Sequence, residues 1–394
     1  MDKHLIPALR KEIENTFGRK VLSSRDCLQL VDDIYHKTGY TVNANTLRRF
    51  FGLVKTQYSA SPSTLTILSK YCGFGSVDEL SQLSKIPPAS DKKDLAADEV
   101  LHFLVSLFKN LPVAEGHNPT AESVILQTVS FLDRHPELID PFQREIARTV
   151  AGQYYYYELS VNMDQLNGYY GDGLLYYMRS RHTDDAQLFA HSLQVFRYWL
   201  TGNRAGMDKH MQVLQTLTIT NACPSHVLGR LIAARIFYAQ VCHEPVEPIL
   251  ADATKYLVSL LAGSRDIPIP TYPDFELAVC EALVLTGMEE EGAEYIRRGK
   301  SLLAFSRQDN PVNPFAMWEY IISNRKESLR RQLPGKKTGL LPSYNYYLHR
   351  KYNNLVLLTL TKHTQRQQQQ LDQLVTETGY TTFRNIKSRP VTEK

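Results

Sequence analysis

The feature that most narrows the fold is a missing one. From Asp98 onward no stretch of useful length alternates apolar and polar residues at period two, while apolar residues recur at helical spacing almost without interruption. Only Ile267-Pro-Ile-Pro-Thr-Tyr-Pro273 breaks the pattern with an extended, proline-fixed segment. A local arrangement also repeats: a helix ends in a short polar break and an amphipathic helix follows. The breaks are Leu159-Ser-Val-Asn162, Leu200-Thr-Gly-Asn203, Gln240-Val-Cys-His243 and Leu285-Thr-Gly-Met288. Their spacing, roughly forty residues, is that of a helix-turn-helix repeat with slightly long connections. The expected fold class is all-α, a small N-terminal helical bundle followed by stacked helical repeats.

The bundle is legible in residues 1–85. Asn43 or Asn45 offers a side-chain cap to a helix in which Leu47, Phe50 and Phe51 fall at i, i+3, i+4 and make one apolar face. Arg48 and Arg49 turn away from that face, and Asn43, Asn45 and Thr46 sit at the leading end. Ser61-Pro62-Ser63 starts the next helix, which buries Leu65, Leu68 and either Tyr71 or Cys72 and stops at Gly73. Upstream, Ser23 or Ser24 caps a helix carrying Leu28, Val31, Ile34 and Tyr35 to a stop at Gly39. Ser76 caps a short one through Asp78, Glu79 and Leu80. With one more helix near the start, five fit. Ile86-Pro-Pro-Ala-Ser-Asp-Lys-Lys-Asp94 then reads as a linker, residues 86–97.

Two resemblances follow from these residues. The run Thr46-Leu47-Arg48-Arg49, the segment Pro62 to Phe74 and Val77-Asp-Glu-Leu80 resemble helices three, four and five of the Cro and phage-repressor family of bacterial DNA-binding domains. In that family the third helix reads bases and the following loop touches phosphate. The resemblance therefore implies Asn43, Asn45, Thr46, Arg48 and Arg49 as reading residues, and Lys55, Gln57, Tyr58 and Ser59 as loop contacts, on double-stranded DNA. The intervals Gly39 to Thr46 and Gly52 to Pro62 are longer than the family pattern. In the body, Phe275 to Leu303 resembles one tetratricopeptide repeat, with small Ala278 and Ala282 at a close helix approach, Gly287 at the turn, and Ala293, Ile296 and Leu302 closing the pair. Tyr198, Leu200, Gly202 and Leu214 resemble a degenerate copy. The expected body is a tetratricopeptide-like α-superhelix over residues 98–324. The whole resembles bacterial regulators that join a repressor-type domain to a peptide-sensing repeat domain.

Charge is distributed unevenly. Residues 1–85 hold 12 basic and 8 acidic residues, 86–324 hold 19 and 29, and 325–394 hold 14 and 4. Weak positive charge on a single module suits phosphate contact through counterion release, yet calls for a second copy, so a homodimer is expected. The basic region 325–394, with Arg325, Lys326, Arg330, Arg331, Lys336, Lys337, Arg350, Lys351, Lys362 and Arg366, either adds to a DNA surface or pairs with the acidic middle. Eight of the 23 tyrosines cluster at Tyr154, Tyr155, Tyr156, Tyr157, Tyr169, Tyr170, Tyr176 and Tyr177. Four consecutive helical positions cannot share one buried stripe, so Tyr154 to Tyr157 should include a ring near the surface. The expectation is an aromatic groove for a peptide or protein ligand.

No catalytic chemistry is legible. Gly168-Tyr-Tyr-Gly-Asp-Gly173 lacks dinucleotide-loop spacing, and Pro334-Gly-Lys-Lys-Thr-Gly339 lacks the first glycine of a phosphate loop. His182 with Asp184 and Asp185 reads as a helix start, and His243-Glu-Pro-Val-Glu has no second histidine. Cys27, Cys72, Cys223, Cys242 and Cys280 are odd in number and widely separated, which suits buried free thiols. The glutamine-rich run Gln365–Leu374 suits an exposed helix, or a coiled-coil contact. No apolar run approaches the eighteen or so residues of a membrane span. The expectation is a cytoplasmic, non-enzymatic transcriptional regulator without cofactor or metal; the alternative is an adaptor in which both halves bind protein.

Overall fold

A computed structural model describes residues 5–54, 60–74, 97–113, 119–220, 223–262, 272–305, 313–333, 346–361 and 365–386. The chain is all-α, with no strand among the described residues. It divides into two compact units, the first formed by the described residues up to 74, the second by those from 97 onward. The expected linker falls outside the described residues except for Ala97, which opens a helix.

Among the described residues the first unit has four helices: α1 Leu5–Phe17, α2 Ser24–Thr38, α3 Ala44–Phe50 and α4 Pro62–Tyr71. Local chemistry sets their ends. Ser23 caps α2 by accepting the Asp26 N–H, and Asp26 reaches back to the Ser23 N–H, a reciprocal capping box. The Ser23 hydroxyl, donating to the same carboxylate at 2.7 Å, holds the Asp26 carboxyl below its usual range. Gly39, at φ 73°, ends α2 in the left-handed region that a side chain would disfavour. Asn43 caps α3, and Ser61 caps α4 with Pro62 in its first turn. The core joins Leu9 and Ile13 of α1, Cys27, Leu30 and Ile34 of α2, Leu47 and Phe50 of α3, and Leu65, Leu68 and Tyr71 of α4.

One face differs from the sequence reading. Leu28 and Tyr35, expected inside, are each 52% exposed. The buried stripe of α2 runs through Cys27, Leu30 and Ile34 with Val31 beside it, one residue out of phase, because α1, α3 and α4 close on that side. The expected fifth helix, Ser76 to Leu80, lies outside the described residues.

The second unit begins with α5 Ala97–Asn110, α6 Pro119–Leu132, α7 Ile139–Ile146, a π-helical turn Gly152–Leu159 and α8 Tyr169–Ser180. Helix pairs follow: α9 Asp184–Leu200 with α10 Arg204–Leu214, α11 Ser225–Cys242 with α12 Glu247–Ala262, α13 Asp274–Leu285 with α14 Glu289–Phe305, and α15 Ala316–Arg325 with the short α16 Glu327–Arg330. The expected polar breaks are helix ends. Asn203 caps α10 through the Gly206 N–H, and Gly287, at φ 86°, turns α13 into α14.

First helices of successive pairs pack on one another, α9 on α11, α11 on α13 and α13 on α15. Phe196 and Phe237 stack at 4.6 Å across the first of these contacts. At the second, Gly229 lets the backbones approach: a Cβ there would lie 2.8 Å from the Phe275 Cα. Thr183 caps α9, so Asp184 and Asp185 are first-turn residues beside His182.

The C-terminal helices α17 Tyr346–Leu360, α18 Gln365–Thr378 and α19 Thr382–Asn385 belong to this second unit. Tyr352 of α17 donates to Glu281 of α13 at 2.7 Å and sets its ring edge-on to Phe196 of α9 at 6.1 Å. Asp164 accepts the Lys351 and Tyr352 N–H groups, both at 2.9 Å. Further along, Tyr380 donates to the Met163 carbonyl, and Thr381 and Thr382 donate to carbonyls at the end of α9. The basic C-terminal region is thus built into the body. Pairing with the acidic middle, one of the two expectations, holds for Arg325 with Glu289 at 3.0 Å and Lys326 with Glu290 at 2.8 Å, while Lys351 pairs with Glu377 inside the region itself at 3.0 Å. On α18 the glutamines from Gln365 to Gln370 are exposed, and Leu371, Val375 and Thr378 are buried.

All five cysteines are free, with Cys27, Cys223 and Cys280 buried and Cys72 and Cys242 half-buried. No described helix is long and apolar enough to cross a membrane.

Candidate nucleic-acid interface

Leu47 and Phe50 fix the roll of α3 by facing the core, which leaves Asn43, Asn45 and Arg49 exposed and Thr46 and Arg48 half-buried. The Asn43 side-chain oxygen accepts the Asn45 N–H at 2.8 Å, so its amide NH2 remains as an outward donor. Arg48 leans back along the helix. Its Nη1 donates to the Asn45 side-chain oxygen at 2.8 Å, and its Nε is shielded from water without an acceptor. The same guanidinium counters the burial that pushes the Cys27 thiol up. The Arg49 side chain has no hydrogen bond or ion pair among the described residues.

The five expected reading residues are therefore not equivalent. Arg49 is a free guanidinium fork, able to take a guanine edge or a phosphate. Asn43 and Asn45 offer amide donors. Arg48, expected in front, spends one of its groups on Asn45 and packs part of its length into the unit. Sequence spacing could not separate the two arginines, because both lie off the apolar stripe and only the neighbouring α2 decides which one folds back. Lys55, Gln57, Tyr58 and Ser59 lie outside the described residues.

Three other cations on this unit are already engaged. Arg19 pairs with Asp26 at 3.1 Å and Lys37 with Asp33 at 2.9 Å. Lys70 sits 4.9 Å from the centre of the Tyr40 ring. Arg10, Lys11 and Lys20, outside the sequence-predicted contacts, have no acidic partner among the described residues. A signal was available, since only Glu12 and Glu14 are acidic between Lys3 and Asp26.

The tyrosine cluster is a core rather than the expected groove. Tyr155, Tyr156, Tyr157, Tyr170 and Tyr177 are buried, and Tyr154, Tyr169 and Tyr176 are half-buried. Their hydroxyls are largely spent internally. Tyr155 donates to the Pro112 carbonyl at 3.0 Å, Tyr157 to that of Gln143 at 3.0 Å, Tyr170 to that of Tyr157 at 2.6 Å, and Tyr177 to Glu158 at 2.7 Å. Tyr156 accepts from Gln143 at 3.2 Å. Tyr154 is the ring near the surface that helical geometry requires. Three consecutive rings can be buried because the π-helical turn carrying them is enclosed on several sides, by Phe108 of α5, Phe142 of α7 and Tyr170 of α8. A cleft of about 480 Å3 beside α5 is lined by Phe108, Leu111, Val113, Arg148 and Val150 and by none of the eight tyrosines.

Glu158 also pairs with Arg181, and His226 Nε2 stands 3.6 Å from its second oxygen. No group of three or more side chains suited to a metal ion occurs among the described residues. Comparison with known proteins adds nothing further. No family model, curated protein or solved structure matches the chain.

Proposed function

We propose that the chain is a DNA-binding transcriptional regulator whose first unit reads double-stranded DNA through α3 and whose helical second unit is a tetratricopeptide-like platform for self-association. The observation that carries this reading is α3 itself. A short helix holds its apolar face inward on Leu47 and Phe50 and presents Asn43, Asn45 and the unpaired Arg49 outward. Amide and guanidinium groups on an exposed helix face are the donors that base edges and phosphates accept. Dimerisation supplies the second module that a weakly basic first one needs for affinity.

The deciding experiment incubates the full chain with fragmented genomic DNA at physiological salt and sequences what it retains. A discrete set of sites, lost in Arg49→Ala, supports the reading. Retention spread evenly over the genome, or none, removes it.

A further inference from the structure

A second surface of the first unit has a different chemistry. Past the C-terminal end of α3 lies a cleft of about 540 Å3 between α1, the Lys20–Leu22 loop and the turn at Phe51–Leu53. Its floor is apolar. Phe51 and Leu53 pack half-buried against the core, Val21 is buried, and Leu22 is 73% exposed over them. Its rim is basic, formed by Arg10, Lys11 and Lys20. The one acid in the lining, Glu14, already accepts the Val21 N–H at 3.1 Å.

None of the three cations has an ion pair among the described residues. Arg10 is held in place, with its guanidinium 5.6 Å from the centre of the Phe50 ring, and its Nε is shielded from water without an acceptor.

We propose that this cleft docks a protein segment bearing apolar side chains flanked by carboxylates. The apolar groups cover Leu22, Phe51 and Leu53, and the carboxylates meet Arg10, Lys11 and Lys20. A nucleic-acid backbone would satisfy the cations but has little to place over an exposed leucine and the apolar floor beneath it, so the cleft favours protein. It lies past the C-terminal end of α3, about 10 Å from Asn43 at 1.5 Å rise per residue, with Arg49 the nearest of the proposed reading residues. The inference stands whether or not α3 reads DNA.

The test uses the full chain and three fluorescein-labelled synthetic peptides in anisotropy titrations at 0.15 M salt. One has Leu at helical spacing with Asp and Glu between, one replaces the acids by Lys, and one replaces Leu by Ser. The first should bind saturably and the other two at least tenfold more weakly. Leu22→Ser and the double variant Lys11→Glu/Lys20→Glu should each weaken the first peptide at least tenfold with an unchanged melting temperature, since all three side chains are exposed. Arg49→Ala should leave peptide binding intact, which separates this surface from the α3 face. Absence of saturable binding, equal binding of the lysine peptide, or indifference to Lys11→Glu/Lys20→Glu overturns the proposal. It is also overturned if that double variant weakens only binding to a DNA duplex, for then the cations serve phosphate.

Discussion

Tyr352 is the sharpest test of how the C-terminal helices are joined to the body. Glu281, 8% exposed on α13, holds Arg230 of α11 on one oxygen and the Tyr352 hydroxyl on the other, both at 2.7 Å. Tyr352→Phe keeps the ring against Phe196 and removes only the hydroxyl. A hydrogen bond to a charged group is worth about 1.5–3 kcal/mol, and with Arg230 still neutralising the carboxylate the lower half of that range applies, about 1.5–2 kcal/mol. Arg230→Met leaves the carboxylate without its cation. That costs about 3–5 kcal/mol at full burial, and about 2–4 kcal/mol here because the paired side chains keep 19% and 11% exposure. Replacing all three partners together, with Glu281→Leu, should cost less than Arg230→Met alone, since no unpaired charge remains. Urea unfolding followed by tryptophan emission is the assay. Trp199 and Trp318 both lie in the second unit, so the signal is not mixed with unfolding of the first. If Tyr352→Phe stays within about 0.5 kcal/mol of the parent while Arg230→Met loses more than about 2 kcal/mol, the hydroxyl does not fasten α17 and the reasoning fails.

The two arginines of α3 should separate. Arg49→Ala should cost about 1–3 kcal/mol of specific DNA affinity in gel shifts with no change in melting temperature, whereas Arg48→Ala should lower the melting temperature as well, having lost its bond to Asn45 and its packing. Equal melting temperatures for both would show that Arg48 is not a structural contact. Gly229→Ala should destabilise the second unit by about 1–3 kcal/mol by forcing α11 off the Phe275 backbone, and an unchanged urea midpoint would mean the contact yields freely. Acid should act with two opposite signs. Burial holds His210 and His349 down to about 4, so between pH 6.5 and 4 the folded state binds fewer protons than the unfolded one and stability is lost as pH falls. Burial raises Asp164 to about 6 against the N–H groups of Lys351 and Tyr352 and the charges of Lys351 and Arg350, so its ionisation costs stability as pH rises from 3.8 through 6. Asp164→Asn should therefore gain on the parent by about 2 kcal/mol between pH 4.5 and pH 7.5 in thermal melts, and a pH-independent difference would place that carboxyl in water.

What the sequence determined by itself is local. Ser23 or Ser24, Asn43 or Asn45, Ser61-Pro62, Gly39, Gly73 and Gly287 mark helix ends because capping and positive φ are settled within one turn, the structure selecting Ser23 and Asn43, and Leu47, Phe50 and Phe51 orient α3 because their spacing admits one apolar stripe. The polar breaks likewise located the helix ends of the second unit. Tertiary structure decided which of several locally acceptable faces is buried. Leu28 and Tyr35 are as apolar as Leu30 and Ile34, yet α1, α3 and α4 close on the other side of α2. Tyr155, Tyr156 and Tyr157 break the one-stripe rule because helices approach their turn from more than one direction. Arg48 and Arg49 are indistinguishable until Asn45 and α2 take one of them. The place of the C-terminal helices in the body is not legible in sequence because their contacts lie far away in the chain: Tyr380 meets Met163 217 residues upstream, and Tyr352 meets Glu281 71 residues upstream. Such pairings leave no periodic trace in either partner, since a hydroxyl and a distant carbonyl or carboxylate are brought together only by the packing of the helices that carry them.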